Sequence, residues 1–135
     1  CGSLSHNGLT GLGGSKDFAP HQLGHALSEK FDVFHGDSLT AVWSSWARYV
    51  LDTNVSRFAR FARNVWGVTL TDDREAALEG IAKQESFFRS IDMPVRLYEL
   101  SCGKQDEDGL RTIAARYPGM VSVDLRRSKI RLGNV

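Results

Sequence analysis

His21, His25 and His35 are the residues of this chain best suited to chemistry, because three of its four histidines fall within fifteen residues. They stand in His21-Gln22-Leu23-Gly24-His25 and Phe34-His35-Gly36. Imidazole is the commonest protein ligand for a transition metal. Histidines four apart on a helix share one face, so the pair 21 and 25 reads either as a surface or hydrogen-bonded pair or as two groups aimed at one spot. A third histidine nearby favours a site. A zinc-protease helix needs a glutamate after its first histidine to act as base. That position is Gln22 here, whose amide cannot take the proton. With only Cys1 and Cys102, there is also no Cys-x-x-Cys pair for a structural zinc.

The histidines need a scaffold, and the surrounding periodicity predicts one. Residues 16–31 carry Leu23, Leu27 and Phe31 at helical spacing, with Asp17 in the first turn. At about 100° per residue that apolar stripe lies nearly opposite His21 and His25, which then face away from one apolar contact and toward a cleft. His35 is expected just beyond the helix end, in a loop that returns it toward His21. Ser38 is expected to cap a second, largely buried helix to about Asp52, with Leu39, Val42, Trp43, Trp46 and Val50 in its pattern. Thr53 or Asn54 starts a third, where Phe58, Phe61, Ala62 and Val65 form the buried stripe and Arg57, Arg60 and Arg63 a solvated row, ended by Gly67. A fourth runs from Thr71-Asp72-Asp73 to about Ser90, with Leu78, Ile81, Phe88 and Ile91 buried, and Pro94 forbids its continuation. After a connection to Gly103, a fifth carries Leu110, Ile113, Ala114 and Tyr117, and Pro118-Gly119 stops it.

The two ends read differently. The glycine-rich string from Gly8 to Gly14 lacks the preceding strand that a phosphate cradle requires, so it is expected to be a loop feeding the first helix, with His6 a loop or capping residue. At the other end Val121, Val123 and Leu125 alternate with polar residues at the period of a strand. Arg126, Arg127, Lys129 and Arg131 give that end the character of a flexible basic tail. The expectation is an all-α bundle of about five helices with an irregular or short β C-terminal tail, divided into a partial metal-binding helical domain at 1–118 and a divergent basic tail at 119–135.

The segment Ser5-His6-Asn7-Gly8-Leu9-Thr10-Gly11-Leu12-Gly13-Gly14-Ser15-Lys16-Asp17, running into His21-x-x-x-His25 and His35-Gly36, resembles the iron-dependent (group III) alcohol dehydrogenases, in their butanol dehydrogenase-like branch. The likeness continues through Ser38-Leu39-Thr40-Ala41-Val42-Trp43, Phe58-Ala59-Arg60-Phe61-Ala62 and Phe88-Arg89-Ser90-Ile91-Asp92-Met93-Pro94. It implies a nucleotide-binding domain of Rossmann-like character packed on an all-helical C-terminal domain, with a divalent metal and the substrate in the cleft between them. This chain resembles the later part of that helical domain. By the same resemblance His21 and His35 are metal ligands, the metal being iron with zinc as an alternative. His25 matches a non-ligand histidine beside the nicotinamide and substrate, a candidate for the catalytic and cofactor-binding role of orienting substrate or relaying a proton. The implied chemistry is the interconversion of primary alcohols and aldehydes with NAD(P), the metal acting as a Lewis acid on the substrate oxygen.

In such relatives a glycine-rich dinucleotide loop and an upstream Asp-x-x-x-His pair of ligands would precede Cys1, and neither lies in this sequence. The segment alone is therefore expected to be inactive. Phe34 stands where many relatives carry proline or alanine, Asp37 places a carboxylate beside His35, and the stretch from Met120 to Val135 departs from the family's helical ending. Glu29, Asp32 and Asp37 are each candidates to orient an imidazole. The alternative reading is a non-catalytic helical interaction or oligomerisation module derived from that family.

Composition narrows the partners. The chain has 135 residues, 17 basic and 16 acidic, for a formal net charge of +1, so no global field favours nucleic acid or a membrane surface. One domain is the natural prior for this length, which can bury a core. A small alcohol or aldehyde is the expected ligand of the full-length protein, and a homo-oligomer is the expected response of a segment exposing surfaces its lost half once covered. Two cysteines, no signal peptide and no long apolar span fit a reducing cytoplasm. The opening cysteine suggests a fragment or a processed piece.

Overall fold

The computed structural model describes residues 3–4, 18–103 and 107–115. Within residues 18–103 and 107–115 it places five α-helices: α1 (Ala19–Phe31), α2 (His35–Val50), α3 (Val55–Trp66), α4 (Asp73–Ser90) and α5 (Glu107–Ala115). Single 3₁₀ turns, Leu51–Thr53 and Leu97–Glu99, join them, and no strand occurs among the described residues. The all-α class is as expected. The glycine-rich string with His6 and Asp17, the stop at Pro118-Gly119, and the alternating segment and basic tail of 119–135 lie outside the described residues. No helix among those described is long and apolar enough to cross a membrane.

Two helix starts differ from expectation. Helix α1 begins at Ala19 rather than Lys16, with Pro20 in its first turn, where a missing N–H is harmless. It ends at Asp32, whose left-handed φ of 53° turns the chain while its N–H donates to the Ser28 carbonyl. Because the connection is only residues 32–34 long, α2 starts at once, and His35 is its first residue rather than part of a returning loop. Ser38, expected as the cap, is instead fully buried in the first turn, and its Oγ donates to the His35 carbonyl at 2.8 Å.

Helices α3 and α4 pack closely against each other. Ala59 and Ala62 of α3 face Ala76 and Gly80 of α4, and a Cβ added to Gly80 would stand 2.4 Å from Ala62 Cβ. Small residues, not large ones, form this seam. That is why Val65, Leu78 and Ile91, expected inside, are 58%, 41% and 51% exposed. Gly67 closes α3 with φ 63°. Arg63, expected in a solvated row, instead staples the turn that follows, donating to the Leu70 and Thr71 carbonyls and to Asp73 Oδ1 at 2.7 Å. Asp72 caps α4 by accepting from the Glu75 N–H.

Three apolar clusters result. Ala26, Leu27, Val42, Leu100 and Ile113 join α1, α2 and α5, with Leu23 and Phe31 packed alongside, as the stripe predicts. Leu51, Ala77 and Ile81 form a second cluster under Trp43, Trp46 and Phe58, and Ala59, Ala62, Val68 and Ala76 a third under Trp66. Burying each branched side chain contributes about 1.5–3 kcal/mol relative to exposure.

Charge pins the segment after α4 to the bundle. Glu85 accepts a bidentate pair from Arg48 of α2, both at 2.8 Å, and a third bond from Arg96 at 2.5 Å. Burial pushes the Glu85 carboxyl up, but the bonds from Arg48 and Arg96 outweigh it and hold the pKa at about 2. Glu99 accepts from the Val95 and Arg96 amides and from Arg89, and these bonds lower its pKa against the opposing effect of burial.

Candidate metal centre

Helix α1 sets His21 and His25 one turn apart on the face away from its Leu23, Leu27 and Phe31 stripe. The sharp turn at Asp32 reverses the chain so that His35 enters from the start of α2. The rings of His21 and His35 lie 5.5 Å apart between centroids, those of His25 and His35 4.9 Å, and those of His21 and His25 6.3 Å. All three imidazoles that stood out in the sequence therefore share one cluster. His21 is half-buried, His25 and His35 are exposed, and Phe18 packs edge-on against the His21 ring at 6.0 Å.

The separations limit which rings could share a metal. Two imidazoles bound tetrahedrally to one metal, with metal–nitrogen distances of about 2.0–2.1 Å, hold their centroids about 5.2 Å apart. The 5.5 Å of His21 and His35 and the 4.9 Å of His25 and His35 both fit that geometry, each within about 0.3 Å. The 6.3 Å of His21 and His25 would open the angle at a shared metal to roughly 155°, far from tetrahedral. Among the described residues, no group of three or more His, Cys, Asp or Glu side chains is set to hold a metal. A pair of imidazole nitrogens that included His35 would suit iron or zinc but would fill only part of a coordination shell.

Electrostatics favours the neutral form of one of these rings. Partial desolvation by its neighbours lowers the His35 pKa from the usual 6.5 although the residue is exposed, and the neighbouring charges of His25 and then His21 lower it further. Neutral imidazole is the form that binds a metal. Asp37, half-buried two residues on, lines an open groove of about 400 Å³ with Arg89, Asp92, Met93 and Glu99.

Two positions around the cluster escaped the sequence reading. Gly24, between His21 and His25, is buried against α2, and a Cβ there would lie 2.9 Å from Ser38 Oγ. Met93 touches the same turn from another side, its Cε 3.4 Å from where a Gly36 Cβ would stand. Only a glycine inside a helical pattern signalled the first in the sequence. Nothing local signalled the second.

Comparison with known proteins agrees with this architecture. The model of the Fe-containing alcohol dehydrogenase family, C-terminal, matches residues 8–119. The probable NADH-dependent butanol dehydrogenase 2 of Bacillus subtilis is 35% identical over 117 residues, 85% of this chain and 30% of that protein. The NADH-dependent butanol dehydrogenase A of Clostridium acetobutylicum is 32% identical over 126 residues, 92% and 32% respectively. In structure, the NADH-dependent butanol dehydrogenase A from Thermotoga maritima superposes with a TM-score of 0.77 at 27% identity, covering 88% of this chain and 29% of that one. The chain thus spans about a third of the length of the curated relatives it matches. It belongs to the Fe-containing alcohol dehydrogenase family, within its C-terminal, all-helical domain.

Proposed function

We propose that this chain is the metal-binding helical segment of a nicotinamide-dependent alcohol dehydrogenase acting on primary alcohols and aldehydes, with His21 and His35 as two of the metal's ligands. The observation that carries the proposal is the convergence of the His21 and His35 rings at 5.5 Å, close to the spacing of two tetrahedral imidazole ligands. His25 fits beside His35 as well at 4.9 Å, and the choice of His21 follows the resemblance of His21-x-x-x-His25 and His35-Gly36 to the family. The names of the relatives support the reaction class: one full-length homologue is an NADH-dependent butanol dehydrogenase and another an NADPH-dependent aldehyde reductase.

A bound divalent metal supplies Lewis acidity toward the substrate oxygen. The chain's own residues do the rest of the local work. Helix α1 holds His21 rigid, and the start of α2 presents His35 with its ring neutral above its lowered pKa. His25, 4.9 Å from His35 but badly placed to share a metal with His21, is free to orient the substrate hydroxyl or accept its proton. The remaining ligands and the dinucleotide site belong to the rest of the full-length enzyme. Alignment of cofactor and substrate carbon is what the two halves accomplish together, so the segment alone is inactive.

The test is a Co²⁺ titration of the purified chain followed by visible absorption. A ligand-field band that His21→Ala and His35→Ala each abolish, with no alcohol-dependent reduction of NAD⁺ or NADP⁺, supports the proposal. Co²⁺ binding indifferent to both substitutions, or steady turnover by the chain alone, refutes it.

A further inference from the structure

Gly24 stands between the two histidines of α1, at the point where that helix meets the first turn of α2. A Cβ at this position would lie 2.9 Å from Ser38 Oγ, closer than a carbon and a hydroxyl oxygen rest, and 3.1 Å from Leu39 Cδ2, inside the roughly 3.5–4.0 Å at which non-bonded carbons rest. Glycine is a poor helix former, so a helical glycine with this contact has a packing reason. The atom it makes room for is an anchor: Ser38 is fully buried, its Oγ donates to the carbonyl of His35 at 2.8 Å, and Ser28 Oγ of α1 reaches the same hydroxyl at 3.4 Å. One hydroxyl therefore ties α1 to the backbone of the residue carrying the third imidazole. On another flank of that turn Met93 Cε lies 3.4 Å from where a Cβ on Gly36 would stand.

We infer that Gly24 and Ser38 are positioning residues: the bare backbone at 24 and the hydroxyl at 38 fix how closely the imidazoles of α1 approach His35. For its function this rests on the metal reading above, and for its geometry it does not. Metal sites tolerate errors of about 0.2 Å in ligand distance, less than the shift a Cβ at position 24 imposes on its neighbours.

The experiment uses the full 135-residue chain and the variants Gly24→Ala and Gly24→Ala/Ser38→Ala. Metal-free NOE contacts of the His35 ring protons with those of His21 and His25 are measured first, and Zn²⁺ affinity by calorimetry second. Gly24→Ala is expected to keep its helical circular dichroism, lose the inter-ring contacts and bind Zn²⁺ at least tenfold more weakly. Removing the Ser38 hydroxyl in that background relieves the 2.9 Å contact but also the tie it supplied, so the double variant is expected to recover at least threefold of the affinity lost by Gly24→Ala while staying below the parent, with the inter-ring contacts regained in part. Unchanged contacts in Gly24→Ala, or a double variant no better than the single one, overturns the inference. If His21→Ala and His35→Ala leave Zn²⁺ binding unchanged, the metal reading falls, and the NOE contacts still decide the role of Gly24.

Discussion

Replacing Gly80 with alanine sets two effects of opposite sign against each other in one methyl group. In an isolated helix the change is favourable by about 0.8–1.0 kcal/mol, since glycine loses more backbone entropy than alanine on folding. In this bundle the new Cβ would lie 2.4 Å from Ala62 Cβ and 2.9 Å from Ala62 Cα. Carbon contacts settle near 3.5–4.0 Å, so α3 and α4 must part by about an ångström, and no rotamer change relieves a clash with backbone. Parting them loosens the seam of Ala59, Ala62, Ala76 and Gly80, whose residues are all buried. Overpacking costs about 1–3 kcal/mol, and a rigid obstacle places this case at the upper end. The net expectation is a loss of about 2 kcal/mol, which lowers Tm by about 6–8 °C for a chain of this size. Thermal melts followed by circular dichroism and the urea midpoint measure it, the latter falling by about 1 M. A Gly80→Ala protein as stable as the parent, or more stable, refutes the reasoning, because propensity would then have won over contact.

Other outcomes follow from the charged groups. Glu85→Gln leaves Arg48 and Arg96 with a weaker acceptor and is expected to cost about 2 kcal/mol in a urea melt at neutral pH; a loss within error of zero contradicts the role given to this network. Because the Glu85 pKa is depressed to about 2 from the usual 4.5, its stabilisation is complete above pH 4.5 and disappears as pH falls toward 2. Glu85→Gln should therefore flatten the acid-induced loss over that window, and an unaltered acid profile would count against it. The His35 pKa is depressed, so the unfolded chain binds that proton more readily than the folded one, and the contribution of His35 makes the fold less stable as pH drops below 6.5. In an NMR titration His25→Ala should raise the His35 midpoint, and no movement would mean that the rings do not share a field.

Much of this fold was legible because long-period signals survive without tertiary information. The Leu23, Leu27 and Phe31 stripe, the Thr71-Asp72-Asp73 start, the Gly67 stop and the Pro94 break each place a helix or its end by local physics. The misreadings share a cause. Val65, Leu78 and Ile91 fit an apolar period, yet the helices meet through alanine and glycine, whose small size brings the backbones together and leaves the larger neighbours outside. Ser38 looked like a cap because caps and buried anchors use the same hydroxyl, and only the three-residue turn after α1 decides between them. Arg48, Glu85 and Arg96 come from three separate stretches, so no sequence window holds them together. For the candidate site, histidine spacing marked the residues, while the distances among their rings depend on the left-handed turn at Asp32, a conformation that a non-glycine residue seldom adopts.

Anomalous diffraction from crystals of the chain soaked in Zn²⁺ bears most directly on whether the imidazoles of α1 and α2 hold a metal. The expected result is a single strong peak about 2.0–2.1 Å from one nitrogen each of His21 and His35, with His25 outside bonding distance. A peak held by His25 in place of either, or no peak at this cluster under saturating metal, would contradict the assignment.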